Sequence, residues 1–349
     1  MEHNMIKEML SDIAIENTDR NTPILFDKFQ RKHDYLRISI TESCNMNCFY
    51  CMPDDKKLLS VPSQWMTKEE ILNIAKVFVD AGVRKIRVTG GEPLVRKDAA
   101  EIIKGLSNFP IELTLTTNGV RIDEFIDIFQ DANIRSLNVS LDTLDEDKYF
   151  KITKSNSFQR VYNNILLLCD KGFKVKVNMV VIKGVNDDEI LNFIEWTKDM
   201  PIHVRFIEFM PFEGNGWSSN MVVPSADILH KISEKYNHYN LPLVKHDTSK
   251  NYAVQDYAGA FGMISSMSQP FCGDCNRLRL TADGKMKNCL FSKDEMDLLS
   301  AIRKGNDILP LIKQSLIGKH KQLGGQFEEN FLKTDAHKMI NRSMIAIGG

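Results

Sequence analysis

Six of the seven cysteines in this 349-residue chain fall into two tight triplets, Cys44-x3-Cys48-x2-Cys51 and Cys272-x2-Cys275-x13-Cys289, with Cys169 left alone. An odd total argues against a secreted disulfide framework and turns the question to metal chemistry. Structural zinc takes four protein ligands, and the first triplet has no fourth cysteine or histidine nearby. Thiolates are soft ligands suited to iron–sulfur clusters, and three of them hold three irons of a cubane. The fourth iron then lacks a protein ligand, and an open position is what a catalytic metal site requires. The second triplet, taken by itself, fits a zinc ribbon short of one ligand as well as it fits a cluster. Cys169 lies in the helical stretch 158–171 and is expected to be a buried core thiol.

The rest of the chain is read as a strand–helix rhythm. After a polar arm over 1–30, strands are expected at 35–40, 85–89, 112–116, 136–141, 174–182 and 203–209. Helices are expected at 67–80, where Thr67 and Glu70 have capping-box spacing, and at 99–107, 123–132, 158–171 and 187–199. Alternating strands and helices imply an α/β fold with a parallel sheet. Six strands fall short of the eight of a closed barrel, so the expectation is a partial, open TIM-like (βα)6 barrel over 31–210. A flat doubly wound sheet satisfies the same rhythm. The rhythm breaks after Met210, and a C-terminal module is expected over 211–349, with 241–257 irregular. Forty-five basic against forty-six acidic residues give a formal charge of −1 and no global field to steer a polyanion such as nucleic acid. Apolar runs such as 165–169 are far shorter than a membrane span, and the N-terminal stretch lacks the apolar core of a signal peptide. A soluble, cytoplasmic protein is the expectation.

Strands in parallel sheets usually read as unbroken apolar runs, yet several here alternate. Arg37 and Ser39 interleave with Leu36, Ile38 and Ile40, Arg87 sits between Ile86 and Val88, and Lys176 and Asn178 sit among Val175, Val177 and Met179. If the apolar faces pack on the helices, the opposite faces line a polar lumen carrying Arg37, Arg87 and Lys176. Buried like charges on three separate strands point to an anionic small molecule.

The segment Thr41-Glu42-Ser43-Cys44-Asn45-Met46-Asn47-Cys48-Phe49-Tyr50-Cys51-Met52-Pro53 resembles the signature of radical S-adenosylmethionine enzymes, and Thr89-Gly90-Gly91-Glu92-Pro93 resembles their second element. The run from Phe271 to Gly284, with the second triplet and the closing Ile347-Gly348-Gly349, is similar to the GTP 3′,8-cyclase family of molybdenum cofactor biosynthesis. The resemblance spans about residues 36–349. It implies two [4Fe–4S] clusters, one on Cys44, Cys48 and Cys51 and one on Cys272, Cys275 and Cys289. It also implies S-adenosylmethionine contacts at Tyr50, Gly91, Ser140 and Met210. GTP contacts are implied at Arg37, Arg87, Thr116, Lys176, Arg277, Leu278 and Arg279, with Gly348 and Gly349 reaching into the site. The implied chemistry is reductive cleavage of S-adenosylmethionine to a 5′-deoxyadenosyl radical that takes hydrogen from C3′ of GTP. Closure onto C8 then gives (8S)-3′,8-cyclo-7,8-dihydroguanosine 5′-triphosphate. Arg277 is implied to aid substrate placement or reduction. Implied partners are an electron donor of flavodoxin or ferredoxin type, the cyclic pyranopterin monophosphate synthase downstream, and a second copy in a homodimer.

Glu42, Ser43 and Ser266 depart from the commonest residues of that pattern without touching a ligand position. No Walker loop is present, because Gly318-Lys319-His320 fails the spacing on both sides, so GTP is expected to be held by scattered basic side chains. Rival readings are a peptide-modifying radical enzyme, for which three cysteines in the C-terminal part are too few, and a non-catalytic electron carrier, which typically supplies four thiolates per cluster.

Overall fold

The computed structural model describes residues 24–53, 59–327 and 339–349. Residues 1–23 of the expected N-terminal arm lie outside the described residues. Each strand of the central repeat is followed by a helix whose apolar stripe covers one face of the sheet. The series runs β1 (Tyr35–Ser39), α1 (Lys68–Asp80), β2 (Lys85–Thr89), α2 (Ala99–Ser107), β3 (Glu112–Thr117), α3 (Ile126–Asp131) and β4 (Ser136–Ser140). It continues with α4 (Glu146–Thr153), α5 (Phe158–Asp170), β5 (Lys174–Val181), α6 (Ile190–Trp196), β6 (Ile202–Glu208) and α7 (Ser225–Ser233). Thr67 caps α1: its side chain accepts from the Glu70 amide at 3.2 Å while the Glu70 carboxylate accepts from the Thr67 amide at 2.8 Å.

Beyond α7 the chain adds β7 (His238–Asn240), β8 (Lys250–Val254), β9 (Ala260–Ile264), β10 (Arg277–Leu280), β11 (Lys285–Lys287) and β12 (Met296–Asp297). Helices α8 (Leu298–Arg303), α9 (Leu309–Ile317) and α10 (Met344–Ile347) complete it. All twelve strands form one sheet in the order β12-β11-β10-β1-β2-β3-β4-β5-β6-β9-β8-β7. Strands β1 to β6 are parallel, and β10 and β9 flank them in the same direction. The ends, β12 and β7, do not pair with each other, so the barrel is open. Side chains from β1 through β6, β9 and β10 line a single cavity, which a flat sheet does not allow.

Two expectations are corrected here. The stretch 241–257 is not irregular throughout, because β8 lies within it and pairs antiparallel with β7 and β9. Helix α4, absent from the expected set, is capped by Asp145, whose carboxylate accepts from the Lys148 amide at 2.7 Å. The main core runs between the helices and the outward face of the strands, with Leu36, Ile86, Leu115, Val139 and Val177 fully enclosed, and a second cluster around Phe209, Phe212, Trp217 and Phe291 lies apart from it. Cys169 packs on this core, half-buried, and burial pushes its thiol up to about 11.

Removing the cap tests the local argument. Thr67→Ala is expected to cost about 1 kcal/mol and to speed amide exchange in the first turn of α1, leaving other helices unchanged, as read by hydrogen–deuterium exchange.

Candidate active site

The first cysteine loop leaves β1 and is tied down on three sides. On one side the Asn47 and Phe49 amides donate to the carbonyls of Thr153 and Ile152 at the end of α4. On a second side the Gly91 amide donates to Thr41 O at 2.7 Å and the Glu92 amide to Ser43 O at 2.8 Å. A β-carbon on Gly91 would stand 2.5 Å from Ser43 O and 2.7 Å from Glu42 O, so only glycine permits this approach. The third tie is a relay from Glu92. Its buried carboxylate accepts from the Thr117 hydroxyl and the Asn118 amide, and the Asn118 side chain donates to Asn45 Oδ1 at 2.7 Å and to Cys44 Sγ at 3.8 Å. Burial pushes Glu92 up to about 7 against those hydrogen bonds. Asn118 is a site residue the sequence reading missed; its nearness to Cys44 arises only from the turn after β3.

Tyr50 is half-buried and donates to Asp142 Oδ2 at 2.6 Å, while the Val180 amide donates to Asp142 Oδ1 at 2.8 Å. Burial raises Asp142 to about 6. Ser140 ends β4 two residues before that carboxylate. Met210 follows β6, whose last residue, Glu208, accepts from the amides of Ser225, Met267 and Ser268. These bonds hold the chain's turn away from the barrel and leave Met210 on the cavity wall.

Burial raises the thiols of Cys44 to about 11 and Cys51 to about 12, and each thiol also acts on its neighbours' charge. Cys272 likewise feels Cys275 and Cys289. Among the described residues, no three His, Cys, Asp or Glu side chains are gathered closely enough to hold one metal ion. Thiols that are electrostatic neighbours yet too spread for one ion suit a polynuclear cluster, one thiolate per iron. The donor chemistry of both triplets therefore fits the iron–sulfur assignment rather than a mononuclear zinc site.

The cavity has a volume of about 340 Å³, and eight Lys and Arg side chains face two acids, Glu112 and Asp247, across it. Parallel register sets the cations in rows: Arg37 lies between Arg279 of β10 and Arg87 of β2. Arg205 of β6 pairs with Asn178, whose amide oxygen accepts both its Nε and its Nη2. Burial and neighbouring cations pull Arg37 down to about 10 and Arg205 to about 9. Arg279 is pulled well below the guanidinium range by the same causes. The sequence reading named Arg37, Arg87, Lys176, Arg277 and Arg279, and all five line the cavity; it missed Lys85 and Arg205, which share their inward register. Thr116 lies on the same face and accepts from Arg87 Nη1 at 3.5 Å. Leu278 does not join them: its side chain, 0% exposed, points from β10 into the apolar core.

Cys272, Cys275 and Cys289 also line the cavity, whereas the first triplet lies outside its wall. Burial would raise Cys275, but Arg277 and Lys319 outweigh it and bring the thiol down to about 6. Gly349 lines the chamber, and Gly348 is buried just behind it. Arg37 donates to Gly349 O and Arg279 to Gly348 O. Gly348 has φ +85°, and a β-carbon there would stand 2.6 Å from Thr89 Oγ1 and 2.9 Å from Ser39 Cβ.

Residues 38–197 match the Radical SAM superfamily model, and residues 202–324 match the model for Molybdenum Cofactor Synthesis C. The chain is 42% identical to Molybdenum cofactor biosynthesis protein 1 of Dictyostelium discoideum, across 96% of this chain and 54% of that one, so it spans about half the length of that relative. It is 42% identical to the mitochondrial GTP 3′,8-cyclase of Arabidopsis thaliana, across 93% of this chain and 84% of the relative. With the GTP 3′,8-cyclase of Alkaliphilus oremlandii it shares 38% identity across 93% of this chain and 99% of the relative. The crystal structure of Streptococcus suis SuiB shares the fold, with TM-score 0.56 and 15% identity over 75% of this chain and 62% of that one.

Two measurements follow from the geometry. Gly348→Ala is expected to lift the Gly-Gly segment off Ser39 and Thr89, seen as faster exchange across α10 with unchanged iron content. Desolvation would raise Tyr35, which is half-buried on the cavity wall, but Arg87, Arg37 and Lys85 outweigh it and bring its phenol down to about 7. A phenolate absorbance with midpoint near pH 7, absent in Tyr35→Phe, is expected without ligand. Inorganic triphosphate neutralises those cations and should move the midpoint up, so it binds with proton uptake and its affinity falls as pH rises past 7.

Proposed function

The chain belongs to the GTP 3′,8-cyclase family of radical S-adenosylmethionine enzymes, and we propose that it converts GTP to (8S)-3′,8-cyclo-7,8-dihydroguanosine 5′-triphosphate, the first step of molybdenum cofactor biosynthesis. The observation that carries this reading is the convergence of Arg and Lys side chains, with Arg87, Arg205 and Arg279 buried, and a second thiol triplet on one cavity. A triphosphate answers the cations, and a purine reaching toward the thiols answers the rest.

In this proposal Cys44, Cys48 and Cys51 hold one [4Fe–4S] cluster and Cys272, Cys275 and Cys289 the other. Together with S-adenosylmethionine the first supplies a one-electron route to a carbon-centred radical, which lets hydrogen be lost from C3′ and the C3′–C8 bond form. Everything else is the work of side chains. Arg37, Arg87, Arg277 and Arg279 bind phosphate oxygens, for which a guanidinium fork is well matched. Lys176 and Thr116 approach from the far strands. Gly91 lets backbone carbonyls approach the amino group of S-adenosylmethionine, and Tyr50, Ser140 and Met210 complete its surroundings. Asp142 holds Tyr50 in place. The chamber walls exclude water and so protect a reactive carbon centre from quenching. Leu278 contributes to this site through packing behind Arg277 and Arg279.

The electron is proposed to come from a carrier of flavodoxin or ferredoxin type, and the product to pass to the synthase that makes cyclic pyranopterin monophosphate. Among the described residues no helix is long and apolar enough to cross a membrane. The cytoplasm is the proposed compartment, supported by seven free thiols, which suit a reducing environment.

Anaerobically reconstituted protein given GTP, S-adenosylmethionine and dithionite is expected to form 5′-deoxyadenosine and the cyclised nucleotide in equal amounts. Absence of GTP-dependent 5′-deoxyadenosine overturns the proposal. Arg37→Ala and Lys176→Ala should each raise the GTP dissociation constant by roughly tenfold or more, the loss of one charge-assisted contact, while GTP-independent cleavage of S-adenosylmethionine persists. Equilibrium binding and product chromatography check the two halves.

A further inference from the structure

Lys319 belongs to the segment that fails as a phosphate-binding loop, and it faces away from the chamber. Its side chain is buried, with 2% of the residue exposed. Its ammonium donates to Asn288 O, to Arg277 O at 3.3 Å and to Cys275 Sγ at 3.8 Å. No carboxylate pairs with it in any ion pair among the described residues. A buried ammonium is costly unless an opposite charge meets it, and two neutral carbonyls supply none.

The placement is held from outside by Arg31. Its guanidinium donates to Cys272 O at 2.7 Å, Lys321 O at 2.8 Å and His320 O at 3.0 Å, clamping the segment after α9 to the loop that carries the second triplet. Arg31 is in turn fixed by Asp27 at 2.6 Å. His33, buried beside this cluster, is pushed down to about 4 by burial and by the Lys319 charge, so it adds no competing cation. Among the described residues, Cys275 Sγ is a group touching the Lys319 ammonium that can carry negative charge, by itself or through whatever it holds.

We propose that Lys319 is a positioning residue that sets the reduction potential of the second cluster, by placing a desolvated positive charge and an N–H donor against Cys275 on the side opposite the substrate. This rests on the assignment of a cluster to Cys272, Cys275 and Cys289. Reduction adds negative charge to a cluster, and a fixed nearby cation favours the reduced form and so raises the potential. Arg277 also donates to Cys275 Sγ at 3.8 Å but lines the chamber, so a change there perturbs substrate and cluster together. Lys319 does not line the chamber and meets Arg277 only at its backbone carbonyl.

The test is a redox titration of the reconstituted holoenzyme followed by electron paramagnetic resonance, with S-adenosylmethionine used to identify the first cluster's signal. In Lys319→Met the second cluster should become harder to reduce, with its reduced-to-oxidised ratio at fixed potential falling about tenfold, which is ~59 mV for one electron. The first cluster should not move, and Lys319→Arg should restore the wild-type value. An unchanged second potential at full iron content, or an equal shift of both clusters, overturns the inference. If Lys319→Met loses iron, Lys319→Gln, which keeps a donor without the charge, carries the comparison with the same two outcomes. Wild-type protein that binds about four irons and keeps all of them in Cys272→Ala instead overturns the cluster assignment beneath it.

Discussion

The architecture is governed by a crowding of like charge on one cavity wall, answered only in part by carboxylates such as Glu112, which pairs with Lys85 at 2.8 Å. Eight Lys and Arg side chains share a cavity of about 340 Å³ with two carboxylates, and lost hydration and neighbouring cations disfavour the charge on Arg37, Arg205 and Arg279. Such an arrangement survives folding only because the outward face of the same strands is apolar and fully packed against helices. The apolar face contributes the free energy; the inward face uses part of it. The Gly348-Gly349 segment relieves some of the strain by offering its carbonyls to Arg37 and Arg279. A polyanionic substrate would complete what those two dipoles begin.

The parts of this design that obey local rules could be read directly from the residues. Alternation along β1, β2 and β5 announced an inward polar face because side-chain direction in a strand follows a period of two. Close spacing pointed to a cluster at Cys44, Cys48 and Cys51 because ligands three and four residues apart need little tertiary structure to meet, whereas Cys289, fourteen residues beyond Cys275, left the second triplet open between zinc and a cluster. What could not be read depends on register between distant segments. Arg205 obeys the same alternation as Arg37, but its role appears only when β6 pairs with β5 and sets it beside Asn178. Leu278 stands between two site arginines in sequence, and the same period of two turns it into the core. Strand β8 is short and pairs only with other short strands, leaving little local pattern. Helix α4 carries just three buried residues, Tyr149, Ile152 and Thr153, too few to mark a face.

That overlooked helix matters to the chemistry, because its last turn supplies the carbonyls that pin the first cysteine loop. The loop is thus supported by three elements that are separate in sequence: α4, the glycine turn after β2, and Asn118 after β3. The supports use backbone atoms, the Asn118 side chain and a single buried carboxylate, Glu92, and none of the three uses a basic side chain. The ligands' own hydrogen bonding therefore comes from amides: Met46 N to Cys44 Sγ at 3.4 Å and the Asn118 side chain.

The second triplet is built on the opposite electrostatic plan. Burial raises the thiols of the first triplet, and Asp142 pushes Cys48 and Cys51 further in the same direction. Burial is overruled at Cys275 by two cations, Arg277 and Lys319. Identical ligand types are thereby given unequal surroundings, which is how a protein distinguishes two clusters of one kind. A site that must deliver an electron benefits from neighbours that resist the extra charge, since that makes its reduced form the stronger donor. A site that must accept a purine, and the negative charge of its substrate, benefits from neighbours that welcome it. Under the proposed function, this arrangement of charge around the sulfurs would suit a first triplet that gives up an electron and a second that faces an anionic substrate.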